Sequence, residues 1–287
     1  MQTFKQIQWY PGHMFKSFKE IKQKLKLVDL VCVLLDARLP DSSMNPEILK
    51  TVKDKPILLI FNKIDMADEK ILNWWVKHYQ TLGFETLKVN AQSGQYTNQI
   101  FDKAKYILRE RIARDEAKGL KMRPIRTMIL GIPNVGKSTL INQLSKTKST
   151  KTGNTPGVTK SQQWVKLAEN FELLDTPGVL WPKFEDAKVG YHLAITGAIK
   201  DKILPEDDVC QYAIKFLQTH YLSRLQKRYD ESITREMEYV DILDLIGKKR
   251  GALIKGNEID YDRVYQIILT DIRNKQLGGL SFDRNDV

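Results

Sequence analysis

Cysteine is scarce in this 287-residue chain: Cys32 and Cys210 stand far apart, each in an apolar stretch. That excludes a disulfide-stapled module and a cysteine zinc site, and fits two buried thiols in a reducing cytosol. The four histidines, His13, His78, His192 and His220, never fall at metal-ligand spacing. Long apolar runs are missing as well. The most apolar, Leu27–Leu35, contains Asp29 and falls far short of the roughly 20 residues of a membrane span. Residues 1–26 lack the apolar core of a signal peptide. The expectation is a cytoplasmic protein with no membrane partner. With 42% apolar and 28% charged residues the composition is that of a folded globular chain, and the length suits two domains.

Acidic residues are unevenly missing. Residues 1–199 hold 31 basic against 19 acidic side chains, whereas 200–287 hold 15 against 16. Between Ile132 and Ala168 there are six lysines and no acid. The excess of the first two-thirds favours polyanions such as nucleic acid or an acidic membrane surface; the plain alternative is a soluble basic protein with no such partner.

An aromatic turn, Trp9-Tyr10-Pro11-Gly12-His13-Met14, precedes a Lys-rich helical pattern whose apolar face is Phe15, Phe18, Ile21 and Leu25. Apolar β-rich runs follow at Leu30–Leu35, Pro56–Phe61, Thr86–Val89 and Thr127–Leu130, with helical patterns between them at Glu69–Thr81 and Thr97–Lys118. Strand–helix alternation predicts an α/β fold with a mainly parallel sheet. Residues 103–126, with nine basic side chains, read as one long connecting helix. Two short strands are expected at Gln163–Leu167 and Phe171–Leu174. Beyond them the pattern turns helical, at Glu206–Thr219, Ile233–Gly247 and Tyr261–Leu277. The expected domains are 1–185, a linker at 186–204, and a small all-helical domain at 205–287.

Gly131-Ile132-Pro133-Asn134-Val135-Gly136-Lys137-Ser138 fits G-x-x-x-x-G-K-S, directly after one predicted strand and before a helix. That is the context of a phosphate-binding loop, in which backbone N–H groups and a helix N-terminus face phosphate oxygens. Asn134, Val135, Gly136, Lys137, Ser138 and Thr139 are therefore candidate phosphate ligands, with Ser138 also a Mg²⁺ ligand. Asp175-Thr176-Pro177-Gly178 ends a strand. Its carboxylate suits a Mg²⁺ shell through water, and the Gly178 amide suits a γ-phosphate. Asn62-Lys63-Ile64-Asp65 ends another strand. Asp65 can accept from guanine N1–H and its exocyclic amine; adenine would leave the carboxylate unpaired. Asn90 and Ala91, after the next strand, offer a backbone N–H for guanine O6.

The set resembles the translation-factor-like GTPases, but with the two guanine loops ahead of the phosphate loop. That order is similar to the circularly permuted GTPases. The opening turn, Asp36-Ala37-Arg38-x-Pro40, the basic spacer and the helical tail resemble those members that serve bacterial ribosome assembly. The resemblance covers nearly the whole chain. It implies a P-loop GTPase domain of permuted order with a helical, RNA-binding tail, hydrolysing GTP with Mg²⁺. The implied partners are GTP, GDP, the large (50S) ribosomal subunit and its rRNA, with release on hydrolysis and a monomer when free. Thr159, in the pattern Pro-Gly-x-Thr, is implied as a Mg²⁺ ligand.

The glutamine that many GTPases place after Asp-x-x-Gly is absent here. Val179 stands in its place and cannot hydrogen-bond water, so intrinsic hydrolysis should be slow. The resemblance assigns catalysis to His13 of Pro-Gly-His-Met, an imidazole able to orient or deprotonate water; the other reading is a histidine that fixes the turn or touches rRNA. Asn134 resembles the asparagine of potassium-activated GTPases and implies K⁺ as an activator, against an ordinary loop hydrogen bond. A second function class stays open: a nucleotide-gated RNA-binding or scaffold protein whose hydrolysis is incidental.

Overall fold

A strand buried on both faces must sit inside a sheet, and β1 (Leu30–Asp36) is buried at every position. In the computed structural model, which describes residues 7, 10–120, 123–146, 163–168, 170–201 and 204–284, it lies between β2 (Ile57–Asn62) and β4 (Ile125–Gly131). The six strands run in the order β3-β2-β1-β4-β6-β5, with β3 at Glu85–Lys88, β5 at Gln163–Ala168 and β6 at Phe171–Asp175. Only β5 is antiparallel to its neighbour. The chain lays β1, β2 and β3 outward in one direction and then returns to place β4 on the other flank of β1. That reversal makes the carboxyl ends of β1 and β4 the topological switch point, where open α/β sheets bind ligands.

The described residues divide into two compact units. One holds residues 10–183 with 283–284, and the other residues 184–282 with Ile7. The sheet unit carries α1 (Gly12–Lys24), α2 (Pro46–Val52), α3 (Glu69–Thr81), α4 (Gln99–Ile107), α5 (Arg109–Ala117) and α6 (Lys137–Lys146). Asn45 caps α2 by accepting from Glu47 N and Ile48 N, with Pro46 at the first helical position. Within the same unit Asp283 accepts from the N–H groups of Asp41 and Ser42, at 2.7 and 2.6 Å, and fixes the loop after β1.

Two expectations fail in this unit. The buried stripe of α1 is Met14, Ser17 and Ile21, which leaves Phe15 67% exposed instead of on the apolar face. Residues 103–126 do not form one helix. The chain breaks at Leu108, whose side chain is buried, and α5 stops before Gly119, which takes the left-handed φ of 66° that reverses the backbone.

The second unit is helical: α7 (Ala187–Ile195), α8 (Glu206–His220), α9 (Leu222–Arg228), α10 (Tyr239–Arg250) and α11 (Tyr261–Arg273). Its core joins Cys210, Ile214 and Leu217 of α8 with Ile242 and Ile246 of α10 and Ile268 of α11. The stretch 186–204 is not a plain linker, because it contains α7, which is buried from Gly190 to Ile195. Arg273 holds its end, donating to the carbonyls of Ala194 and Ile195 at 2.8 and 2.9 Å. The expected helix from Ile233 begins only at Tyr239. Ahead of it Gln218 Nε2 donates to the carbonyls of Thr234 and Met237, which fixes an irregular turn. The same helix runs through Gly247, where a Cβ would meet Ile259 at 2.8 Å, and ends at Gly251 in the left-handed region. Both cysteines are free and buried. Among the described residues no helix is long and apolar enough to cross a membrane.

Candidate functional site

Four loops leave the carboxyl ends of β2, β3, β4 and β6, and one side chain ties three of them together. Asn62, buried at the end of β2, donates from Nδ2 to the Val135 carbonyl at 2.9 Å and accepts at Oδ1 from Ala91 N at 3.0 Å. Gly136 has φ 101°, and a Cβ there would collide with Asn62 Nδ2. The second glycine of the phosphate loop is therefore demanded by the guanine loop as well as by its own turn. Ala91 N–H, expected to face guanine O6, is used by Asn62. Asn90 Oδ1 accepts from Gln92 N and Ser93 N at 3.0 and 3.2 Å, so both expected residues shape the loop in this structure. Asp65 is exposed on a single 3-10 turn, Ile64–Met66, with Ile64 half-buried behind it.

Lys63 bridges the two halves of the site. In the left-handed conformation at φ 63°, it donates from Nζ to the Asn134 carbonyl at 2.7 Å and to Asp36 Oδ2 at 2.9 Å. Asp36, the last residue of β1, also accepts from the backbone N, Nε and Nη2 of Arg38 at 3.1, 2.9 and 2.8 Å. Burial alone would push this carboxyl up; the Arg38 and Lys63 cations outweigh it and hold it well below the usual carboxylate range. Burial pulls Lys63 down, against the opposing pull of Asp36. Neither Asp36 nor Arg38 was assigned a role from the sequence, where Asp36-Ala37-Arg38 stood only as a family likeness.

Lys137 is buried inside the phosphate loop, donating from Nζ to the carbonyls of Gly131 and Ile132 at 3.0 and 2.8 Å. An ammonium has three donors, so one is left for a phosphate oxygen. Burial pushes this ammonium down to about 8, with Asp175 opposing and Lys63 assisting. Ser138 and Thr139 open α6, and their backbone N–H groups belong to the unpaired first turn of a helix. Asn134 is exposed at φ 57° between Pro133 and Val135.

Asp175 is buried at the end of β6. A Cβ on Gly178 would come within 2.6 Å of Pro133 Cα, so only glycine lets this segment meet the phosphate loop. Val179 then turns inward. Its side chain is fully buried in the sheet core, its N–H donates to Gly131 O at 3.2 Å, and its carbonyl accepts from Asn45 Nδ2 at 3.2 Å. The side chain that replaces the usual glutamine is thus a core plug. Asn45 is a third residue with no role assigned from sequence; the signal that could have found it is Asn followed by Pro, a helix start. Met14 of α1 is buried with Sδ 3.5 Å from Leu180 N, which seats the first turn of α1 beside this segment. His13, one residue earlier, is exposed. Thr159 and the rest of 147–162 lie outside the described residues, as does Trp9.

The donor set of Ser138 and Asp175, a hydroxyl and a carboxylate at adjoining loops, is the hard-oxygen chemistry that suits Mg²⁺.

A family model described as "50S ribosome-binding GTPase" matches residues 126–241, beginning at β4 and so leaving the guanine loops ahead of it. "Ribosome biogenesis GTPase A" of Bacillus licheniformis is 51% identical over 97% of this chain and 98% of its own length. The protein of the same name from Bacillus pumilus is 50% identical over 97% and 98%. The crystal structure of GNP-bound YlqF from T. maritima shares the fold, with a TM-score of 0.66 at 24% identity over 94% of this chain and 98% of that one. Joined with a phosphate loop and guanine loops in permuted order around one switch point, these likenesses place the chain in the ribosome biogenesis GTPase A family, as an enzyme that hydrolyses GTP.

Proposed function

We propose that the chain is a cytoplasmic assembly factor of the large ribosomal subunit, which binds pre-ribosomal particles and their rRNA with GTP and leaves after hydrolysis. The observation that carries this reading is the convergence of the Asn62–Asp65, Asn90–Ala91, Asn134–Thr139 and Asp175–Gly178 segments at one sheet edge, with the Lys-rich α1 seated beside Leu180. Asp65 reads guanine. Asn62, Lys63, Ile64, Asn90 and Ala91 hold the guanine loops in shape. Val135, Gly136, Lys137, Ser138, Thr139 and Gly178 take the phosphates. Ser138, Thr159 and Asp175, the last through water, would hold Mg²⁺, which offsets phosphate charge when bound. Asn134 is assigned to K⁺.

Val179, an apolar and fully buried side chain, gives hydrolysis no polar group at its usual place. That favours a reaction completed on the ribosome, with His13 brought to the attacking water. It also keeps the second reading in play, a nucleotide-gated RNA-binding scaffold with incidental turnover. GTP turnover with and without isolated large subunits separates them. The enzyme reading expects strong stimulation, and His13→Ala should then cut the stimulated kcat by tenfold or more while leaving GTP affinity unchanged. Absence of stimulation favours the scaffold. Loss of particle binding in His13→Ala with kcat intact makes His13 an RNA contact.

A further inference from the structure

The most exposed helix of the sheet unit is α5, which has no buried residue. A helix this polar stays in place only through specific ties. Here one such tie is Arg111 on Asp29, a carboxylate that also gathers the segment after the helix. Asp29, just ahead of β1, takes Arg111 Nη1 at 2.6 Å, Arg123 Nη1 and Nη2 at 3.0 and 2.8 Å, and Arg126 N at 3.0 Å. Burial would raise this carboxyl, but these donors and the Arg111 charge together keep it ionised and lowered.

The result is a cleft of about 410 Å³ lined by Arg111, Arg114, Asp115, Lys118, Leu120 and Arg123. Residues 111, 114, 115 and 118 follow the i, i+3, i+4, i+7 spacing that puts side chains on one helix face. Four cations line the cleft against one carboxylate, Asp115, whose Oδ2 stands 3.5 Å from Arg111 Nε. Asp29 behind it balances a single further charge and is saturated with donors. Two positive charges remain in excess, and Arg114 and Lys118 are both exposed. The cleft lies at the amino ends of β1 and β4, opposite the nucleotide loops. Seven residues of β4 put about 20 Å between the two edges.

We propose that this cleft is a binding site for the phosphodiester backbone of RNA, held by Arg114 and Lys118 at the sheet edge away from GTP. It rests on the RNA-binding part of the function proposed above and names the surface for it. Charge decides the occupant. With Arg111 and Arg123 paired to Asp29, the exposed Arg114 and Lys118 carry the uncompensated charge, which suits phosphate oxygens and makes the cleft too cationic for a neutral ligand.

The test uses the full chain and a fluorescent mixed-sequence single-stranded RNA 12-mer, with anisotropy read across a salt series. Wild type should bind with a steep salt slope. Arg114→Gln with Lys118→Gln should lower affinity and reduce the slope of log affinity against log salt by about 1.4, since each lost phosphate contact on a single strand accounts for about 0.7. GTP affinity and basal turnover should not change, because neither residue touches the nucleotide loops. If wild type binds the RNA and the double variant binds it with the same slope, the cleft is not the site, though RNA binding stands. Wild type failing to bind any RNA overturns the RNA-binding reading itself. Competition by polyglutamate as strong as by unlabelled RNA would assign the cleft to an acidic protein instead.

Discussion

Asp36 accepts four hydrogen bonds, three from Arg38 and one from Lys63, while buried at the end of β1. Asp36→Asn keeps the shape and removes the charge, leaving two cations facing a neutral amide. Breaking a buried pair from one side costs about 3–5 kcal/mol. The urea midpoint should fall with unchanged m, and GTP affinity should fall with it, because Lys63 would lose one of its two anchors; an unchanged midpoint would show that Arg38 and Lys63 need no counter-charge. Lys137 gives a pH signature. Its folded pKa is depressed to about 8, whereas a bound triphosphate favours the ammonium. Below about pH 8 both free and bound protein are protonated and affinity is flat. Above it, binding requires proton uptake, so GTP affinity should fall by up to tenfold per pH unit between about 8 and 9. Lys137→Arg, which stays charged, should flatten that fall, and a wild-type profile already flat to pH 9 would contradict the assignment. The phosphate loop and Asn62–Asp65 were legible because each is contiguous and its chemistry is local. Asp36 was not, because its partner Lys63 is brought to it only when β1 and β2 pair in register, Asp36 opposite Asn62.

Asn45 works at the scale of an element. Its side chain caps α2 and also clamps the Val179 carbonyl. Asn45→Ala removes both and should lower stability by about 1–2 kcal/mol in urea unfolding, the usual size of a lost cap. Asn45→Asp restores the cap alone and should recover most of that loss; if Asp is as unstable as Ala, the Val179 clamp carries the effect. Strands and most helices were readable from periodicity, as Glu69–Thr81 shows residue for residue. The failures differ in kind. The buried stripe Ile100, Ala104 and Leu108 runs at helical spacing straight through the break at Leu108, so the break left no signal in the pattern. The short α7 within 186–204 carried one local signal, the cap at Asp186, which accepts from Lys188 N, whereas Arg273, which holds the carbonyls at its end, lies far along the chain.

At the scale of the whole molecule, permutation changes the order of the loops and not their meeting place. Asn62 still reaches Val135 and Ala91 across the switch point, although the phosphate loop now follows it in sequence. The family and the permuted order could be read before any coordinates because the motifs are specific and their order is a property of sequence alone. The charge asymmetry, 31 basic against 19 acidic residues in 1–199, was equally plain, but the cleft under α5 needed Asp29 and Arg123 to meet. The most direct test of a GTP-switched factor for the large subunit is co-sedimentation of the full chain with isolated large subunits, with a non-hydrolysable GTP analogue or with GDP. Expected is at least tenfold tighter association in the analogue state, little association with small subunits, and a steep loss between about 50 and 200 mM salt. Equal pelleting in both nucleotide states, or equal pelleting with small subunits, would contradict it.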